Sequence, residues 1–205
     1  MSSRPTTHRL VCHITAPLVD GGWAALRPLR GGEIRLLEDV FEGLSPRSRE
    51  QRYLVPMTRL PGPALTSLAN VDGRDHVAWV ALVDGRPAGI CRYVRTTHDT
   101  AEVAFEVVDA HQGRGLGSAL VDAVTTVACA SGIRWLEATV EPGNRASVAL
   151  LNRLGIRLVH HDGLLEGRGR LRLLDRPEGV DRRAVLAVAA RAGAAVEAVL
   201  PSESA

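Results

Sequence analysis

The chain predicts an α/β fold in which a meander of strands feeds a β-α-β-α-β half, with helices laid against the sheet. Three observations predict it. Apolar runs at His76–Val83, Pro87–Val94 and Thr100–Val108 follow one another across short turns, the first turn being Asp84-Gly85, a strong hairpin dipeptide. A strand-like run then ends in the glycine-rich stretch Gln112-Gly-Arg-Gly-Leu-Gly117, which opens a helix reaching about Ser131. Beyond it, Trp135–Val140, Asn144–Leu154 and Ile156–His161 read as strand, helix and strand. In such an arrangement the ligand belongs at the strand-to-helix opening.

Length and composition bound the rest. The 205 residues suffice for one well-buried domain, and 45% apolar content supplies its core. Aromatic residues are only 3%, so Val, Leu and Ala must build that core. All 25 basic residues are Arg and the net charge is only +2, which argues against a nucleic-acid surface. Cys12, Cys91 and Cys129 are odd in number and widely spaced, so neither a disulfide framework nor a zinc site is expected, and a reducing compartment is. Pro5, His8, His13 and Pro17 interrupt the N-terminal region, and no 18 apolar residues run together. A soluble, cytoplasmic protein without a membrane role is therefore expected.

The remaining elements follow in order. Residues 1–20 form an N-terminal extension whose apolar stretch Leu10–Ile14 either pairs as an edge strand or lies loose. Trp23–Leu29 reads as a first strand. In Glu33–Leu44 the residues Ile34, Leu37, Val40 and Phe41 recur at helical spacing. Ser45-Pro46 is an N-cap followed by a proline at N1, so a second helix covers about Pro46–Leu54. Pro61 and Pro63 precede a short helix near Ala64–Asn70, and Leu171–Leu174 supplies a last strand. From Val180 to Leu200, Val185, Val188, Ala189, Ala192, Val196 and Val199 mark one helical face. This C-terminal extension, residues 176–205, is either a packing helix or a contact between two copies of the chain.

The glycine loop carries the chemistry. Gly113, Gly115 and Gly117 lack the Cβ atoms that would keep a ligand from the backbone, and N–H groups at a helix start favour anionic oxygens. The spacing is not G-x-G-x-x-G, which counts against a dinucleotide. The triphosphatase loop requires Lys followed by Ser or Thr, and the chain contains no Lys. A tight strand-to-helix connection without a ligand is the plain alternative.

Gln112-Gly-Arg-Gly-Leu-Gly117 resembles the pyrophosphate loop of the GNAT superfamily of acyl-CoA-dependent N-acyltransferases, matching its Gln/Arg-x-x-Gly-x-Gly/Ala signature at Gln112, Gly115 and Gly117. The likeness runs from about Trp23 to Leu174 and places the domain at residues 21–175. It implies a mixed, mostly antiparallel central sheet (α+β) with acetyl-CoA as acetyl donor. It also implies a cofactor site of Phe105, Val107, Val108, Gln112, Gly113, Arg114, Gly115, Leu116, Gly117, Ser118 and Asn144. In the family the main chain before the loop holds the pantetheine arm like an added strand and directs an N–H at the thioester carbonyl. Asn144 resembles the family's Asn at the start of a helix ending in Leu-Gly, and Asn is equally a helix N-cap.

Acetyl transfer to an amine needs a base, because the amine is largely protonated at neutral pH. Glu102, Ala104 and Glu106 share one face of their strand. Ala101–Phe105 is similar to the strand of protein-acetylating GNAT enzymes whose glutamate acts as base, which makes Glu102 the first candidate and Glu106 the second. Carboxylates on the solvent side of a sheet are the alternative for both. Phe41–Arg49 with Arg52-Tyr53 also resembles the lysine-acetylating branch, although Arg47, Arg49 and Arg52 read equally as a solvated helix face. The family's frequent Tyr in the later helix is Leu151 here; a thiol of ordinary pKa about 8.5 can leave without its help. His160 and His161, adjacent on a strand, point to opposite faces, so no metal is expected.

The expected function is an acetyl-CoA-dependent N-acetyltransferase acting on a primary amine, with a slight preference for a lysine on a protein. A small-molecule amine and a non-catalytic acyl-CoA sensor acting through the C-terminal helix are the alternatives. A sensor would keep the glycines and have no need of Glu102.

Overall fold

A computed structural model describes residues 13–175 and 179–194. Its centre is an eight-stranded sheet in the order β1-β2-β3-β4-β5-β6-β8-β7. The strands are β1 (Ile14–Pro17), β2 (Trp23–Pro28), β3 (His76–Val83), β4 (Arg86–Arg95), β5 (Thr100–Val107), β6 (Trp135–Val140), β7 (Arg157–His161) and β8 (Leu164–Arg170). Only the β5–β6 pairing is parallel; every other neighbour is antiparallel. The mixed, mostly antiparallel sheet is thus as expected.

Among the described residues, six α-helices flank it: α1 (Ile34–Glu42), α2 (Pro46–Tyr53), α3 (Gly62–Ala69), α4 (Leu116–Ala130), α5 (Arg145–Arg153) and α6 (Arg182–Arg191). One core joins α4, α5 and α6 to one face of the sheet through residues such as Leu26, Trp79, Leu120, Leu136 and Val185. A smaller core joins α1 and α3 to the other face through Val40, Phe41, Val80 and Ile90. Nearly every residue of α4 is buried, as befits a helix crossing the middle of the sheet.

Three sequence expectations need adjustment. At the N-terminus an edge strand is found at Ile14–Pro17, paired with β2; residues 10–12 of the expected stretch lie outside the described residues. Leu171–Leu174 is no strand: the main chain there leaves the ladder, Leu171 N donating to Arg134 O at 2.8 Å and Arg172 N to Leu154 O at 3.1 Å. The last strand is instead β8. The C-terminal helix occupies Arg182–Arg191 and ends in a turn with Gly193 left-handed at φ +89°, short of the expected run to Leu200, whose residues from 195 on lie outside the described residues.

The apolar face of α6 is covered by the chain's own core, Val185 and Ala189 being 0% and 1% exposed. Buried Asp122 of α4 accepts two bonds from Arg182, at 2.7 and 3.1 Å, which fastens the helix. Asp181 caps α6 by accepting from Arg183 N at 2.9 Å and Ala184 N at 3.2 Å. Asp181→Ala is expected to cost about 1 kcal/mol. Thermal unfolding should fall by about 2–4 °C in a domain of this size. No described helix is long and apolar enough to cross a membrane.

Candidate active site

Strands β5 and β6 pair only over Thr100–Glu102 and Trp135–Glu137. Past that last rung they part, and the side of β5 from Val103 to Val107 faces a cleft of about 430 Å³. Main-chain groups there have lost their strand partner, which is what a ligand bound as an added strand requires. One is taken up internally, Val107 O accepting from Gln112 Nε2 at 3.0 Å.

The loop after β5 forms the mouth. Gly113 and Gly115 are left-handed, at φ +72° and +85°, on either side of Arg114, and α4 begins only at Leu116 rather than at Gly113. Alternating backbone of this kind turns successive N–H groups into an anion-binding concavity. A Cβ on Gly117 would meet Val107 Cγ2 at 3.6 Å and Leu150 Cδ2 at 4.0 Å, so that glycine keeps the cradle open where β5, α4 and α5 converge. Asn144 starts α5 on the opposite wall, its Oδ1 accepting from Ser147 N at 3.1 Å.

The roof is α2. Ser45 caps it, accepting from Ser48 N at 3.2 Å. Asp109, just past β5, holds both serines, accepting from Ser45 N at 2.9 Å and Ser48 Oγ at 3.0 Å. Those bonds keep the Asp109 carboxyl below the usual carboxylate range against the opposing effect of burial. So fixed, α2 puts Arg52 Nε on Glu106 Oε2, a pair whose side chains are 17% and 5% exposed. Burial opposes the charge on Arg52, and Glu106 beside it more than offsets that, raising its pKa. Arg92, 3% exposed, joins the same cluster; burial pulls its guanidinium down from the ordinary arginine value while Glu106 acts the other way. Farther along α2, Arg47 and Gln51 reach across the cleft to Glu141 at the end of β6, at 2.9 and 3.0 Å.

Ten of the expected residues therefore line one cleft: Phe105, Glu106, Val107, Gln112, Gly113, Gly115, Leu116, Gly117, Ser118 and Asn144. Three stand elsewhere. Val108 is turned into the α1 core and its N–H donates to Ala88 O at 2.9 Å. Arg114 bonds Asp20 at 2.6 Å and contacts His111 Nδ1 at 2.7 Å, while its carbonyl accepts from Val19 N at 3.1 Å. The β1–β2 turn thus braces the glycine loop from outside. Glu102 is exposed at the last β5–β6 rung, next to the first lining residue, Val103. Its side chain makes no hydrogen bond or salt bridge with any described residue and lies within electrostatic reach of Arg52.

Arg49 and Arg52 do not form the solvated helix face that is one reading of the sequence. Arg49 stacks 4.3 Å from the centre of the Phe41 ring, and Arg52 is buried. Glu106, the partner of Arg52, lies too far along the chain for sequence patterning to signal, as do Asp20 for Arg114 and Glu141 for Arg47.

A narrow cleft between parting strands, with an anion cradle at one end, belongs to the class of acyl-CoA-dependent transferases. Residues 38–156 match the model of the acetyltransferase (GNAT) family, and the chain belongs to that family, whose acetyl donor is acetyl-CoA. It is 35% identical over 169 residues to the acetyltransferase Pat of Mycolicibacterium smegmatis, covering 78% of this chain and 50% of that one. It therefore spans half the length of that curated relative. An acetyltransferase of Pseudomonas aeruginosa is 32% identical over 148 residues, covering 70% of this chain and 80% of the relative. Among solved structures, the GNAT domain of S. lividans PAT superposes with a TM-score of 0.71 at 30% identity, covering 82% of this chain and all of that one.

Proposed function

We propose that the chain transfers an acetyl group from acetyl-CoA to a primary amine, preferentially a lysine on a protein, with Glu102 as general base. The observation that carries this reading is the parting of β5 from β6 immediately past Glu102 and Glu137. It sets an exposed, unengaged carboxylate beside the point where a thioester carried along β5 would end.

The residues present suit the cofactor. Gly113, Gly115 and Gly117 offer N–H groups to a pyrophosphate. The unpaired side of β5 from Val103 to Val107 receives the pantetheine arm, and Asn144 contacts it from the facing wall. When bound, acetyl-CoA supplies the acetyl group in activated form, as a thioester. Glu102 then takes the proton that the acceptor ammonium must lose before its nitrogen can attack. Glu106, committed to Arg52, fixes α2 over the cleft. The lysine preference is supported by the likeness of Ala101–Phe105 to the lysine-acetylating branch.

Differential thermal unfolding with acetyl-CoA, NADH and ATP tests the root of this reading. A ligand selective for the folded state adds about 2.7 kcal/mol at 100 times its Kd, so acetyl-CoA alone should raise the transition by several degrees. No shift with acetyl-CoA would reduce the glycine loop to a turn and remove the enzymatic reading with it.

A further inference from the structure

Helices α1–α3 cover one face of the sheet only as far as β5, and α4 and α5 pack on the other face. Among the described residues, nothing covers the α1–α3 face of β6, β8 and β7. Register fixes what that face carries. Val94 stands opposite Glu102, Glu102 opposite Glu137, Glu137 opposite Arg168, and Arg168 opposite Arg157. Partners across neighbouring strands share a face, so a single row crosses five strands in the order apolar, acidic, acidic, basic, basic.

The neighbouring positions extend the pattern. Arg170 stands opposite Trp135, and Glu166 between Thr139 and Val159. Trp135 and Val159 are 38% and 64% exposed. Arg168 is held in place, donating to Thr100 Oγ1 at 2.9 Å, pairing with Glu137 Oε1 at 3.6 Å and lying 5.0 Å from the centre of the Trp135 ring. The side chains of Arg157 and Arg170 are exposed and make no hydrogen bond or salt bridge with any described residue. The β8–β7 side of the face therefore presents Arg157 and Arg170 as unengaged side chains against Glu166, Arg168 is shared with Glu137, and the side next to the cleft presents Glu102 unengaged and Glu137 held by Arg168 and Thr96.

Given the lysine-acceptor reading above, on which this rests, we infer that the bare face docks the acceptor protein and selects lysines that have acidic residues three to four positions to one side. The charge order requires that polarity: the ammonium meets the acidic end and the acidic neighbours meet the arginines. Strands are spaced about 4.8 Å apart, which puts Arg168 and Arg157 about 10 and 14 Å from the base. An extended segment covers those distances in about three to four residues. Trp135, Val94 and Val159 supply the apolar contact that such a patch needs.

The test compares acetylation of three lysine peptides that carry Glu, Ala or Arg at those positions, alongside a simple alkyl amine. For the Glu-flanked peptide, kcat/KM should exceed that of the Ala-flanked one by about fivefold at low salt, the difference shrinking as salt screens exposed charges. Arg157→Glu with Arg170→Glu should erase or invert the order and leave turnover of the alkyl amine unchanged. Equal kcat/KM for the Glu and Ala peptides, or a preference that survives the double reversal, would overturn the docking surface. Turnover of the alkyl amine with none of the peptides would also overturn it and leave an acetyltransferase of small amines. No turnover of any amine would remove this inference and the reading beneath it together.

Discussion

Replacing Glu102 by glutamine is expected to lower kcat by about two to three orders of magnitude, within the range that a positioned general base contributes. The substitution keeps size and hydrogen-bonding capacity but replaces the carboxylate by an amide too weakly basic to take the proton. Because the side chain is exposed and holds no partner among the described residues, thermal unfolding should move by no more than a substitution at an open surface position does, about 0.5 kcal/mol. Affinity for acetyl-CoA should not change, since Glu102 lies outside the lining of the cleft. Stopped turnover with intact cofactor binding is the combination that separates catalysis from sensing. A Glu102→Gln protein that turns over at the parent rate would show that proton removal occurs elsewhere or is left to solvent.

Much of this arrangement was legible because its signals are local. Asp84-Gly85 is left-handed at both positions, φ +50° and +76°, as the dipeptide implies. Ser45-Pro46 begins α2, Asn144 caps α5, and Gly113 and Gly115 make the strand-to-helix turn that their spacing predicts. The failures have physical causes too. Strand β8 reads as loop because Gly167 and Gly169 interrupt it, yet both are there for close approach: a Cβ on Gly169 would lie 1.8 Å from Gly155 O, and one on Gly167 2.3 Å from Arg157 O. The apolar run Leu171–Leu174 drew the strand assignment in its place, although Leu174 is buried, 2% exposed, in a segment without ladder bonds. In the site, the shared face of Glu102 and Glu106 follows from strand alternation alone. Their different fates do not, since only the packing of α2 brings Arg52 onto one and not the other.

That difference predicts the largest loss of stability. Arg52→Met would leave Glu106, 7% exposed, as a buried carboxylate without its closest cation, which costs about 3–5 kcal/mol. The transition should fall by about 10 °C in a chain of this length. Glu106→Gln should also destabilise, because Arg52 and Arg92 would then share a buried site with no anion between them; among the described residues the Arg92 side chain bonds Leu68 O at 2.9 Å and His76 Nε2 at 3.3 Å. Combining the two substitutions removes one positive and one negative charge, so the double variant should lose less than the sum of the singles by about 2 kcal/mol, the coupling of a direct buried pair. Additive losses in denaturant unfolding would mean that the pair does not hold α2 to β5. The same variants decide between the two carboxylates. If Glu106→Gln, assayed well below its own transition, keeps most of its turnover while Glu102→Gln does not, then the buried glutamate is architecture and the exposed one is the base. The reverse outcome would assign the proton to Glu106 and make Arg52 the residue that orients it.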